Sequence, residues 1–92
     1  MKTNPTRSRR FIIVSRDADD KGLPTELGAA TDETRASLIA FGFIRTNQQE
    51  GFYNQRYFVV DAKTNEATEH LVDRHTGRSS TRFAAPITHI WD

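Results

Sequence analysis

Among the residues able to do chemistry, the densest cluster is Asp17-Ala18-Asp19-Asp20-Lys21-Gly22, which starts like a calcium loop, with acids at its first and third positions and glycine at its sixth. The pattern then fails. Lys21 stands at the fifth position and Gly28 at the twelfth, where a bidentate carboxylate must close the cage, so the segment reads as a solvated acidic loop. The histidines, His70, His75 and His89, lack the i, i+4 spacing that sets two imidazoles on one helical face, and no cysteine supplies a thiolate. No metal and no cofactor is expected. The glycines at 22, 28, 42, 51 and 77 are too scattered for a phosphate-cradling loop or a dinucleotide fingerprint, and no serine sits in a Gly-x-Ser-x-Gly elbow. Glu66, Glu69, His70 and Asp73 are close in sequence, but strand alternation sets His70 on the face opposite Glu69, and all four read as exposed sheet polars. The expectation is a protein without enzymatic activity.

Binding remains. Residues 52–60 form the longest strand-like run, and alternation divides it into two faces. Phe52, Phe58 and Val60 share one with Asn54 and Arg56; Tyr53, Tyr57 and Val59 share the other with Gln55. Tyr carries a large rigid ring with a polar tip and is enriched at interfaces. The phenylalanines are therefore assigned to the core, and Tyr53, Gln55 and Tyr57 to an outward protein-binding face. On this reading the chain is a small protein-binding module, an inhibitor or accessory factor, which acts through that aromatic face or by adding an edge strand to a partner sheet. The partner is another protein or a second copy of the chain.

A second reading is nucleic-acid binding, with Arg7, Arg9 and Arg10 neutralising phosphates, Arg56, Arg74, Arg78 or Arg82 assisting and the two tyrosines stacking bases. Two features weigh against it. The first ten residues hold four basic side chains and no acid, so in a chain of net charge +1 the remainder is net acidic. The aromatic strand also lacks the glycine of an RNA-recognition signature.

Ninety-two residues suit one domain, and Leu, Ile, Val and Phe make up about a fifth of them, enough for a thinly stocked core. Residues 1–9 have the composition of a disordered basic arm, and 10–92 that of the folded unit. The apolar runs are too short to span a bilayer and the N-terminus lacks a signal-peptide core, so a cytoplasmic protein without membrane contact is expected.

The elements that must position the binding residues follow from pattern. Phe11 to Arg16 reads as a buried strand, and residues 17–30 as a long acidic loop that either holds a helical turn around Thr25 to Leu27 or is a mobile functional loop. Thr31 caps a helix in which Ala36, Ile39, Ala40 and Phe43 make one apolar stripe, ended by Gly42. A short strand at 43–46 and a polar hairpin loop at 47–51 lead into the aromatic strand, and further strands follow at about 67–72, 78–84 and 87–91. The expected fold is α+β, one helix on an antiparallel sheet of about five strands in the order β-α-β-β-β-β, with a C-terminal meander.

The sharpest local signals are two turns, Asp61-Ala62-Lys63-Thr64-Asn65-Glu66 and Asp73-Arg74-His75-Thr76-Gly77-Arg78. Each opens on an Asp that can accept from amides two residues on, and each closes on Asn or Gly, which tolerate left-handed backbone. Replacing Gly77 by Val forces a β-branched residue into that conformation, and chemical denaturation is expected to register a loss of about 1 kcal/mol or more.

Overall fold

The computed structural model describes residues 10–19 and 24–84. Arg7 and Arg9 of the basic arm, Asp20 to Leu23 and the strand expected at 87–91 with His89 lie outside the described residues. The elements are β1 (Phe11–Asp17), β2 (Thr25–Ala30), α1 (Glu33–Gln49), β3 (Gln55–Asp61), β4 (Glu66–Val72) and β5 (Ser79–Phe83). The strands form one antiparallel sheet in the order β2-β1-β3-β4-β5, with α1 packed across β2, β1, β3 and β4. One helix on a five-stranded antiparallel sheet with a C-terminal meander is the expected architecture.

The element order differs from expectation. A strand precedes the helix, and none occupies 43–46, so the chain runs β-β-α-β-β-β. β2 was hidden because Glu26, Gly28 and two alanines are weak strand formers. Its strand character comes from pairing with β1, where Gly28 faces Ile13 and Glu26 faces Val14, leaving Leu27 as an extra bulged residue that packs toward the helix.

The helix also runs beyond its expected end. Asp32 caps it, accepting from the Arg35 amide at 2.8 Å, and α1 continues through Gly42 to Gln49, where Gly51 at φ +85° turns the chain away. Buried Ala36, Ala40 and Ile44, spaced by four, define the face toward the sheet. Continuing the helix buries Ile44 between Tyr57 and Val72 and brings Asn47 and Gln48 within reach of the strands. Those tertiary contacts outweigh the modest cost of an internal glycine.

Both turns form as the sequence indicates. Asn65 and Gly77 have φ of +62° and +74°. Asp61 accepts from the Lys63 amide at 2.9 Å, and Asp73 from those of His75 and Thr76 at 2.8 and 3.1 Å. These backbone bonds, from His75 first, hold the Asp73 carboxyl below its usual range.

Both faces of the central strands are buried. Under the helix lie Phe11, Ile13, Ala30 and Val59; on the far face Val14, Phe58, Val60 and Ala67 form a second cluster, with Ile12 and Ala84 packed against it. Gly42 is internal and helical, and nothing stands within 4 Å of where its Cβ would be. Gly42→Ala should therefore raise stability by roughly 0.5–1 kcal/mol. A helix ending in left-handed backbone at that residue would instead be destabilised, and a urea titration separates the two.

Candidate functional site

Three of the residues singled out for binding gather at one end of the sheet, although not on an open face. Tyr57 is corrected from outward to inward. It pairs with His70 on β4 and Ser15 on β1 on the helix side, is 5% exposed, and its hydroxyl accepts from the Asn47 side-chain amide. The reason is the strand's phase: β3 places Tyr57 and Val59 under α1, and Phe58 and Val60 on the far face. Phe52, assigned to the core, precedes β3 and stands 60% exposed. Tyr53 beside it is 50% exposed, with the Arg74 guanidinium 4.9 Å from its ring centroid. Gln55 opens β3, and its side-chain amide donates to the Asp17 carboxylate at 2.5 Å.

These residues border a cleft of about 240 Å³, walled by Ile44 and Gln48 of α1, Tyr57 of β3 and Val72 of β4, with Phe52, Tyr53 and Gln55 at its rim. A second, shallower hollow of about 270 Å³ shares Gln48, Tyr53 and Val72 with it and extends to Arg45, Arg74 and Gly77. Gln48 spans the junction, donating to the Val72 carbonyl at 2.8 Å. Two exposed aromatics beside an arginine, over apolar walls, have the composition of an interface centre. The sequence pointed to Tyr53 and Gln55, and to Arg74 only as a phosphate contact, but missed Arg45; the two arginines join the site through the second turn and the helix end.

The basic residues are largely committed. Arg10 pairs with Asp61 at 3.3 Å and lies over the Phe11 ring at 5.0 Å. Arg56 lies over Phe58 at 5.2 Å and binds both oxygens of Glu69, each at 3.0 Å. Arg82, directly opposite on β5, reaches the same carboxylate at 2.8 Å. Glu69 is thus corrected from exposed to buried, at 3% exposure. Burial alone would raise its pKa, yet the bonds from Arg56 and Arg82 outweigh it and hold the carboxyl below its usual value of 4.5.

His70 is likewise buried rather than exposed, also at 3%. Its Nδ1 donates to the Thr68 carbonyl at 3.1 Å, so the neutral ring accepts at Nε2 from the Ser37 hydroxyl at 2.9 Å. The pair has the hydroxyl-to-imidazole geometry of a nucleophile and its base. The Phe41 ring lies against His70, 4.9 Å between centroids, and the Ser37–His70 bond links α1 to β4. Desolvation lowers the His70 pKa below 6.5, more than the Thr68 bond and the Glu33 charge raise it.

Among the described residues no helix is long and apolar enough to cross a membrane. Comparison with protein-family models, with curated proteins and with solved structures finds no match.

Two pH windows follow. Unfolded His70 takes up a proton near pH 6.5 while the folded group resists, so its contribution is complete above that pH and declines as the solution is acidified toward the lower folded value. Glu69 contributes above pH 4.5, and that stability is lost as pH falls through its depressed folded pKa. His70→Gln should flatten the upper window and leave the lower one, as read from denaturation midpoints across the pH range.

Proposed function

We propose that the chain is a small non-enzymatic protein-binding module whose contact centre is the Phe52–Tyr53 end of the sheet. The observation that carries this reading is the pair of adjacent exposed aromatics, with Arg74 against Tyr53 and a cleft of mixed apolar and polar lining beside them. Buried aromatic anchors and arginines supply most of the binding energy at protein interfaces. A cleft of this size suits one anchoring side chain of a partner. The nucleic-acid reading loses Tyr57 to the interior and Arg56 and Arg82 to Glu69, which leaves Tyr53, Arg10, Arg74 and Arg78 as its described contributors.

Because both aromatics are exposed, a Phe52→Ser, Tyr53→Ser double variant should hold its denaturation midpoint to within about 0.5 kcal/mol of stability. It should lose the polypeptide that the native chain retains from an extract of its own source cell in high salt. Retention of an oligonucleotide instead, released by salt and indifferent to the double variant, would overturn the assignment in favour of the basic side chains.

A further inference from the structure

The outer edge of β5 is one of the two strand edges, with that of β2, that the described residues leave unpaired. All five residues of β5 are exposed, Phe83 at 70%, and among the described residues only β4 pairs with it. The ladder shows which groups point outward. At one end the Asp73 amide donates to the Arg78 carbonyl at 2.9 Å, and at the other the Ala84 amide donates to the Ala67 carbonyl at 2.9 Å. Antiparallel pairing alternates between bonded and non-bonded pairs, so residues 78, 80, 82 and 84 direct their N–H and C=O groups to β4. Ser79, Thr81 and Phe83 direct theirs away from the sheet. The side chains of the same three residues lie on the helix side, facing the same way as Thr68, His70 and Val72, beyond the four strands with which α1 makes its main contacts.

Charge selects among occupants. From Arg78 to Ala84 the chain carries Arg78 and Arg82 and no acid. Glu69, the acid facing this strand, is shared between Arg56 and Arg82 and so leaves the strip positive. A second copy of β5 would bring more arginine and no carboxylate. We infer that the β5 edge is a docking strip for an extended acidic segment of another protein, which adds as a sixth strand through the amides and carbonyls of Ser79, Thr81 and Phe83 and sets an apolar side chain beside Phe83. The strip is separate from the Phe52–Tyr53 end, so the two readings fail independently.

Two synthetic peptides test it, one alternating Val with Glu and the other Val with Lys. The Val–Glu peptide should bind, and the amides of Ser79, Thr81 and Phe83 should then exchange more slowly with deuterated water, whereas those of Ser80 and Arg82 are already protected. Thr81→Pro removes an outward N–H without touching the β4–β5 ladder, and an edge strand tolerates proline there. It should weaken the peptide roughly tenfold or more while the denaturation midpoint and the Ser80 and Arg82 protection stay near those of the native chain. Should Thr81→Pro unfold the hairpin, the exchange pattern of the native chain still decides. The inference is overturned if the Val–Glu peptide does not bind, if the Val–Lys peptide binds equally well, or if protection appears at β2 instead. Concentration-dependent protection of Ser79, Thr81 and Phe83 without peptide would overturn it in favour of a second copy.

Discussion

The seating of α1 on the sheet governs the rest of the molecule. Ala36 and Ala40 are fully buried and present only methyl groups to the strands, so the helix approaches closely and cannot be replaced by a bulkier face without strain. Three polar links fix its position: Ser37 to His70, Asn47 to Tyr57 and Gln48 to the Val72 carbonyl. Each joins groups that are wholly or partly withdrawn from water, and a slip of the helix would leave them unsatisfied at a cost of about 1–3 kcal/mol apiece. The helix therefore has one register, and that register decides which strands it covers.

Two consequences follow from a single helix on five strands. The central strands need apolar side chains on both faces, and β1 and β3 provide them with Ile13 and Val59 on one side and Val14, Phe58 and Val60 on the other. The sheet's far face must then accommodate Glu69, a buried carboxylate in a row that begins with Val14 and Phe58. An unpaired charge there would be prohibitive. Two arginines from the flanking strands satisfy it, and because they belong to β3 and β5 the same carboxylate ties three strands together. Such a network contributes more to fixing register than to net stability, since desolvation offsets much of its attraction.

Local chemistry was legible in the sequence, and competition between elements was not. The two Asp-initiated turns depend on side-chain bonds within a few residues and on positive φ at Asn65 and Gly77, and both could be read directly. The strands flanking them follow from those turns. In contrast, the length of α1 is decided by contacts distant in sequence: Ile44 against Tyr57 and Val72, and Gln48 with Val72. The four-residue spacing of Ala36, Ala40, Ile44 and Gln48 was the available signal, and Gly42 with the following Phe and Ile masked it. The face of Tyr57 was misjudged for a related reason. When a strand is apolar on both sides, alternation separates two sets without saying which one meets the helix. Tyr53 and Gln55 were legible as surface residues, but Arg74 reaches Tyr53 only through the fold of the β4–β5 hairpin.

That hairpin connects the two presented surfaces. Its turn carries Arg74 to the aromatic end, and its second strand carries the open backbone of Ser79, Thr81 and Phe83. Asp73 organises it by accepting from the His75 and Thr76 amides, while its own amide and carbonyl bond Arg78 and Gly77. The turn is thereby held by four hydrogen bonds to one residue, and Arg82 on Glu69 anchors the strand to the sheet from the far face. Exposed side chains on such a support lose little further freedom on contact, which lowers the entropic cost of association. A thinly stocked core can therefore present well-ordered surfaces, because their order comes from local hydrogen bonding and one buried carboxylate rather than from bulk apolar packing.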